Sequence, residues 1–186
     1  MAFIKTDFPG LLVFEPKVFE DSRGYFYESY NEKNFAAEGI HIKFVQDNQS
    51  KSSYGVIRGL HYQAEPHAQT KLVRVFQGSI LDVVVDIRQG SPTYGKVFSI
   101  ELSADNKKQL LVPKGFAHGF SVLSETAEVL YKCDAFYNKE SEQGIIYNDR
   151  DLNIDWKIPS DKALVSEKDN ILPILKNCKN SFVFEK

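Results

Sequence analysis

The stretch Gly55-Val-Ile-Arg-Gly-Leu-His-Tyr-Gln63 combines an apolar, extended pattern with an arginine, a histidine and an amide. Valine, isoleucine and leucine favour a β-strand, and the two glycines interrupt it where another segment or a ligand comes close. A basic side chain among apolar neighbours either turns to water or lies in a polar cavity inside the fold. For Arg58 and His61 the stretch alone leaves both interpretations open.

Short strands and turn signals of the same kind continue along most of the chain. Residues 3–19 alternate apolar runs with turn residues, and residues 80–87 alternate regularly. Asp82 and Asp86 share a face of that second segment, which is expected to meet solvent or a polar cavity. About ten such strands and one clear helix predict an all-β antiparallel sandwich or barrel, of which a jelly roll fits best. We interpret residues 1–186 as a single domain.

Three local patterns predict the structure of particular segments. Asn31 is a typical N-cap for a helix over residues 32–38, which Gly39 ends. Residues 25–30 predict an aromatic strand in which alternate side chains share one face. Gly78 lies between two strand patterns and predicts a hairpin turn.

Composition and charge exclude several classes of function. Hydrophobic residues make up 42% of the chain, and no apolar run is long enough to cross a bilayer. A formal charge of -2 gives no reason to expect a nucleic acid as partner. Asp7 and the short apolar runs around it argue against an export signal, so a cytoplasmic protein is expected. Cys133 and Cys178 are then expected to be reduced thiols.

Four side chains are candidates for acid–base chemistry or for binding. Histidine titrates near neutral pH, so His61 is the strongest candidate for a general base, and a buried, hydrogen-bonded histidine is the alternative. His118, close to glycine and aromatic residues, is interpreted as structural or substrate-binding. Tyr131 can donate a phenolic proton or serve as a core aromatic residue. Lys71 begins a strand and can simply be solvated.

Two arginines and one acid are candidates of a different kind. Arg23 and Arg58 each adjoin a glycine and can offer a planar guanidinium to a phosphate, although Arg23 in a turn is exposed by default. Asp169 can orient a histidine or belong to a polar turn. None of these residues decides the function alone.

A metal site at His61 and His118 is not expected. Metal-binding cupins resemble the chain over residues 113–118, but their first motif has two histidines one residue apart, and Gln63 stands where the second would be. Without that imidazole a catalytic divalent metal loses a ligand that it normally needs. We therefore predict a protein without metal.

Several ordered motifs resemble those of the dTDP-4-dehydrorhamnose 3,5-epimerases. The resemblance runs from about residue 8 to residue 173 and rests on Glu15-Pro-Lys-Val-Phe-Glu-Asp-Ser-Arg-Gly-Tyr-Phe-Tyr-Glu-Ser-Tyr30, Phe44-Val-Gln-Asp-Asn-Gln-Ser50, Arg58-Gly-Leu-His-Tyr-Gln63, Lys71-Leu-Val-Arg74, Pro113-Lys-Gly-Phe-Ala-His-Gly-Phe120, Leu130-Tyr-Lys132 and Ser166-Glu-Lys-Asp169. It implies a cupin-type jelly roll with a few short helices. It also implies a metal-free homodimer without cofactor, in which an N-terminal strand is shared with the partner. The single domain of residues 1–186 includes a C-terminal extension.

The resemblance further implies the reaction and the catalytic roles. His61 is the general base and Asp169 binds its far nitrogen. Tyr131 is the acid on the opposite face of the sugar, and Lys71 stabilises the enolate oxygen. The hydrogens on C3 and C5 flank the C4 ketone, so removing either gives an enolate, and reprotonation from the other face inverts that carbon. The implied reaction turns dTDP-4-dehydro-6-deoxy-D-glucose into dTDP-4-dehydro-L-rhamnose in dTDP-rhamnose biosynthesis.

The substrate-binding residues are likewise implied by the resemblance. They are Arg23 and Arg58 at the diphosphate, Phe26, Glu28, Gln46 and Asn48 in the nucleotide-sugar pocket, and His118 near the sugar. Glu28 is a candidate contribution of the partner subunit.

Arg58 and His61 pose a geometric problem for a regular strand. Residues three positions apart point to opposite faces, so the two side chains cannot share a cavity unless the strand is irregular. We predict a bulge or twist at Gly59.

Other functions stay open at this point. A relative that inverts only C3 or only C5, or that moves the ketone, would use the same enolate after small changes in the pocket. A non-catalytic sugar-binding jelly roll would keep the arginines and aromatic residues but has no need of a base, an orienting acid and a facing phenol. A metal-dependent cupin oxygenase is disfavoured by Gln63.

Overall fold

The structure of the protein is a computed structural model that describes residues 2–185. Within these residues there are fourteen strands and two α-helices. The strands are β1 (Ala2–Lys5), β2 (Leu12–Glu15), β3 (Phe19–Asp21), β4 (Gly24–Phe26), β5 (Gln46–Ser53), β6 (Val56–Gln63), β7 (Lys71–Gln77), β8 (Ser79–Asp86), β9 (Val97–Ser103), β10 (Gln109–Val112), β11 (Phe116–Val122), β12 (Thr126–Cys133), β13 (Glu142–Gly144) and β14 (Leu164–Val165). The helices are α1 (Glu32–Ala37) and α2 (Glu167–Asn170). Neither helix is long and apolar enough to span a bilayer.

Two sheets form a sandwich, and a separate hairpin of β3 and β4 stands outside it. The first sheet has the strand order β1-β2-β10-β7-β12-β5, and the second has the order β13-β6-β11-β8-β9, with β14 beside β6. Every pairing between these strands is antiparallel except that of β14 with β6. These pairings are those expected of the predicted antiparallel sandwich.

Three apolar layers hold the sheets in place. The layer between the sheets includes Val73 and Val129 from the first sheet and Val84 and Phe120 from the second, all of them buried. A second layer, which includes Trp156, packs the C-terminal segments onto the outer face of the second sheet. A third layer covers part of the outer face of the first sheet with α1. Burial of this kind stabilises a fold by roughly 25 cal/mol per Å² of apolar surface.

The predicted helix is confirmed. The side chain of Asn31 caps α1 by accepting a hydrogen bond of 3.1 Å from the backbone nitrogen of Lys33. Gly39 follows the helix with a φ of 78°, a left-handed conformation that glycine adopts without steric cost.

The hairpin predicted at Gly78 is wrong. Strand β7 pairs with β10 and β12, whereas β8 pairs with β9 and β11, so Gly78 joins two strands of different sheets. A glycine is required there because its φ is 73° and a Cβ atom would lie 2.0 Å from the carbonyl oxygen of Thr126. A tight connection between sheets and a hairpin therefore leave the same signal in the sequence.

The aromatic strand predicted over residues 25–30 is shorter than expected. Strand β4 ends at Phe26, and Tyr30 packs its ring 5.0 Å from that of Phe35 in α1. Glu28 accepts one hydrogen bond from the side-chain amide of Asn31 at the helix N-terminus and one from that of Asn34. The start of the helix thus redirects the chain, and the alternation of faces is lost.

Candidate active site

A cavity of about 670 Å³ opens between the two sheets. Six of the residues singled out in the sequence line it, namely Arg58, His61, Lys71, His118, Tyr131 and Asp169. The fold therefore gathers residues from four strands and one helix, across more than half of the sequence, at a single place.

A bulge at Gly59 places Arg58 and His61 in this cavity. His118 of β11 lies opposite His61, and Phe120 lies opposite Arg58, so two steps along β11 face three steps along β6. Gly59 has a φ of 115°, and a Cβ atom there would lie 2.7 Å from the Cα atom of Gly119. The peptide bond that follows Gly59 is cis. The predicted irregularity is confirmed, and it turns both side chains to one side of the strand.

Asp169 holds both His61 and the bulge. One carboxylate oxygen lies 2.8 Å from Nε2 of His61, and the other accepts a hydrogen bond of 3.1 Å from the backbone nitrogen of Gly59. Ser166 caps α2 by accepting a hydrogen bond from the backbone nitrogen of Asp169, which fixes the start of that helix. The expected contact between Asp169 and the far nitrogen of the imidazole is present.

These contacts keep Asp169 ionised. Burial opposes the charged form, but the hydrogen bonds from His61 and Gly59 outweigh that effect and lower the pKa of the carboxyl group. The charged carboxylate of Asp169 accepts a hydrogen bond from the N–H group at Nε2 of His61. In the neutral imidazole the other ring nitrogen, Nδ1, then carries the lone pair.

Tyr131 and Lys71 lie on the sheet that faces His61. The ammonium nitrogen of Lys71 is 5.7 Å from the centre of the Tyr131 ring. Burial raises the pKa of Tyr131, so the phenol keeps its proton. Burial lowers the pKa of Lys71, although Cys133 and Asp82 nearby act in the opposite direction. The cavity thus places a protonated phenol and a lysine amino group across from a histidine.

His118 has a carboxylate partner that sequence reasoning missed. Its Nε2 atom lies 2.9 and 3.0 Å from the two oxygens of Asp82, which is completely buried on β8. The alternation of residues 80–87 predicted that Asp82 meets solvent or a polar cavity, whereas its carboxylate is completely buried against His118 and does not line the cavity. Only the pairing of β8 with β11 brings the two side chains together, and that pairing is not readable from either strand alone.

Gln46 and Asn48 border the cavity without lining it. Both are on the inward side of β5, where Asn48 lies opposite Tyr131. The amide nitrogen of Gln46 donates a hydrogen bond of 3.0 Å to Asn48, and its oxygen accepts one from the backbone nitrogen of Tyr137. The amide of Gln46 is therefore satisfied by Asn48 and by the backbone, and the amide nitrogen of Asn48 donates to Sγ of Cys133 at 3.7 Å.

The side-chain amide of Gln63 is hydrogen-bonded to backbone groups. Its amide nitrogen donates to the carbonyl oxygens of His67 and Phe136, and its oxygen accepts from the backbone nitrogen of Asn138. Residues 2–185 contain no group of three or more histidine, cysteine or acidic side chains placed to hold a metal ion. The absence of a metal stays a prediction.

Three residues that the resemblance places in the substrate pocket do not line the cavity of their own chain, namely Arg23, Phe26 and Glu28. The side chain of Arg23 is 87% exposed, and one of its terminal nitrogens lies 2.6 Å from a carboxylate oxygen of Asp21. Phe26 is 68% exposed. All three residues belong to the hairpin of β3 and β4 or follow it directly, and that hairpin is separate from both sheets.

Lys168 and Glu142 are further charged residues at the site that the sequence did not single out. Lys168 lines the cavity, and its ammonium nitrogen lies 2.6 Å from Glu142. The hydroxyl group of Tyr137 also donates to that carboxylate, at 2.8 Å. Lys168 is part of the motif Ser166-Glu-Lys-Asp169, but only the fold shows that its side chain reaches the cavity.

Neither cysteine takes part in this constellation. Cys133 and Cys178 are free thiols, as predicted. Cys133 is completely buried, and burial raises its pKa to about 11, which keeps the thiol neutral.

The chain is similar to known proteins in both sequence and fold. The profile of the family described as dTDP-4-dehydrorhamnose 3,5-epimerase matches residues 5–177. The chain belongs to this family. A curated dTDP-4-dehydrorhamnose 3,5-epimerase from Shigella flexneri is 56% identical over 170 residues, which cover 91% of this chain and 93% of the relative. The resemblance inferred from the motifs is confirmed.

Solved structures of epimerases share the fold. The dTDP-4-dehydrorhamnose 3,5-epimerase from Elizabethkingia anophelis is 57% identical with a TM-score of 0.90, covering 95% of this chain and 97% of that one. The dTDP-6-deoxy-D-glucose-3,5-epimerase from Legionella pneumophila, in complex with dTDP-4-keto-L-rhamnose, is 47% identical with a TM-score of 0.90, covering 95% of this chain and 93% of that one. The predicted cupin-type jelly roll is thereby confirmed.

Proposed function

We propose that the chain inverts C3 and C5 of dTDP-4-dehydro-6-deoxy-D-glucose and so forms dTDP-4-dehydro-L-rhamnose for dTDP-rhamnose biosynthesis. One observation carries this proposal beyond family membership. The hydrogen-bonded pair of His61 and Asp169 lies on one side of the cavity, and a protonated Tyr131 lies on the sheet that faces it. A base and an acid on opposite sides are what inversion of a carbon next to a ketone requires.

The reaction begins with proton removal. His61 takes the hydrogen of C3 or C5 as a proton, and the electrons of the broken C–H bond move into an enolate whose charge lies on the C4 oxygen. Lys71 stabilises that oxygen, a contribution of about 3 kcal/mol for one well-placed donor. Tyr131 then gives a proton to the other face of the same carbon, the ketone re-forms and the carbon is inverted.

Asp169 prepares His61 for this role. Because the ionised carboxylate accepts the hydrogen on Nε2, the imidazole is held in the tautomer whose Nδ1 accepts the substrate proton. The same carboxylate also stabilises the imidazolium that forms. Proton removal next to a ketone needs no redox cofactor, so the cavity residues are sufficient for the chemistry.

Substrate binding divides between the cavity and the exposed hairpin. Arg58 binds the diphosphate and His118 the sugar from inside the cavity, with Gln46 and Asn48 at its border. Arg23, Phe26 and Glu28 come from a second copy of the chain in a homodimer. This division is supported by the exposure of Arg23 and Phe26, which in their own chain have no contact with the cavity.

The edge strand β1 is the N-terminal strand proposed to be shared in the dimer. It pairs with β2 of its own chain and lies at the end of the first sheet, so its outer edge is available for pairing. The cytoplasmic location stays a prediction from the sequence.

Deuterium incorporation tests the proposed reaction. The protein is incubated with dTDP-4-dehydro-6-deoxy-D-glucose in deuterated water, and C3 and C5 are followed by NMR. Deuterium at both carbons is expected. Deuterium at one carbon would indicate a single-position epimerase, a displaced ketone would indicate an isomerase, and binding without exchange would indicate a sugar-binding protein.

A further inference from the structure

Ser52 is a buried serine that contacts one of the proposed ligand-binding groups. It is 8% exposed and lies on the inward side of β5, opposite the buried Ala127 of β12. Its hydroxyl oxygen accepts a hydrogen bond of 3.1 Å from Nε of Arg58. Since β5 and β6 belong to different sheets, this bond crosses the sandwich at the cavity.

The bond restrains a side chain that would otherwise be mobile. Arg58 is exposed at the cavity, and a free arginine loses on the order of 2 kcal/mol of rotamer entropy when it is fixed in one geometry. The bond to Ser52 uses Nε and sets the plane of the guanidinium. The two terminal nitrogens stay available for a second, bidentate pairing with an anion.

We propose that Ser52 is a positioning residue that orients Arg58 toward the diphosphate of the substrate. The proposal rests on the proposed function in one respect, the nature of the anion. An arginine oriented in advance pays less of its rotamer entropy on binding, so the loss of Ser52 weakens the affinity for a nucleoside diphosphate while the proton-transfer groups keep their places.

The first experiment compares Ser52→Ala with wild type. We expect binding of dTDP, measured by calorimetry, to weaken about tenfold. The KM should rise by a similar factor, and kcat should stay within about twofold, because Ser52 touches neither His61 nor Tyr131. Ser52→Thr keeps the hydroxyl group and should restore both quantities. Ser53→Ala, an exposed change on the same strand, is the matched control and should bind dTDP as wild type does.

A double-mutant cycle separates positioning from a general structural role. Methionine has no N–H group, so in an Arg58→Met background the further change Ser52→Ala should leave dTDP affinity unchanged. An equal loss in both backgrounds, a loss confined to kcat, or normal binding by Ser52→Ala would overturn the proposal. Wild-type protein that fails to bind dTDP would instead contradict the proposed function, and thermal unfolding of each variant shows that the fold is intact.

Discussion

The cavity and the β3–β4 hairpin each present an arginine beside a glycine, yet the chain holds these two arginines very differently. Arg58 lies at the cavity and is bound by the buried Ser52 of the opposite sheet. Arg23 is 87% exposed, and its partner Asp21 is only two positions away in the same hairpin. One chain therefore fixes one of the two arginines proposed to bind the diphosphate but leaves the other on its surface.

The exposed hairpin also carries apolar surface. Phe19, Tyr25 and Phe26 are 54%, 59% and 68% exposed. A cluster of this kind is typical of a surface that another molecule covers. The comparison leads to our central claim, that a complete site combines the cavity of one chain with the hairpin of a second copy.

The largest effect is expected from His61→Asn. Removing the proposed base should lower kcat by about 10³-fold, since general base catalysis typically contributes 10²- to 10⁴-fold. The affinity for dTDP should not change, because the variant leaves both arginines in place. Product formation by NMR and calorimetry measure the two quantities.

An exposed histidine provides the control for this change. His41→Asn should have the activity of wild type. If His61→Asn kept more than about a tenth of the wild-type kcat, a loss far smaller than general base catalysis typically contributes, the cavity would not contain the base that we assign to it.

A smaller loss, about 10²-fold in kcat, is expected for Lys71→Met, which removes a single donor to the oxyanion. Because burial lowers the pKa of Lys71, the ammonium loses its proton below the ordinary lysine value of 10.5. Wild-type activity should therefore fall as the pH rises through that lowered pKa. Lys71→Arg keeps its charge at the same pH, so its alkaline limb should move to higher pH.

The pH profile distinguishes Lys71 from the facing phenol. Burial raises the pKa of Tyr131, so its phenol loses the proton at a higher pH than an ordinary tyrosine does. An alkaline limb at the same pH in wild type and in Lys71→Arg would show that another group is responsible for it.

The smallest of these effects belongs to the hairpin. Arg23→Ala should weaken dTDP binding about tenfold, the loss of one charged contact. Its free energy of unfolding should change by less than about 0.5 kcal/mol, because the side chain is exposed. Arg150→Ala, another exposed arginine, should change neither quantity. Normal dTDP binding by Arg23→Ala would show that this residue of the hairpin does not belong to the binding site.

Local signals in the sequence predicted much of the fold and of the cavity. The cap at Asn31 and the bulge at Gly59 depend on residues close to them in the chain, and both are confirmed. Gly78 was misread because a tight connection between sheets and a hairpin both need a glycine of positive φ.

Long-range partners could not be predicted in the same way. Asp82 meets His118 only because β8 pairs with β11. Ser52 and Arg58 are only six positions apart, but their contact depends on the placement of their strands in two different sheets. The resemblance to the epimerases named six of the residues that line the cavity and one contact between them, that of Asp169 with His61. It also placed Arg23 and Phe26 in the pocket, although within one chain they are far more exposed than a pocket allows.

Mixing two variants tests the central claim most directly. One variant carries His61→Asn, the other carries Arg23→Ala together with Phe26→Ser, and the two are unfolded and refolded as a mixture at a substrate concentration well below the KM. If the hairpin serves the partner, each mixed dimer has one cavity with both an intact base and an intact hairpin. Activity should then rise to roughly a quarter of wild type, from the statistics of a symmetric dimer. Activity that stays at the average of the two separate variants would contradict the claim.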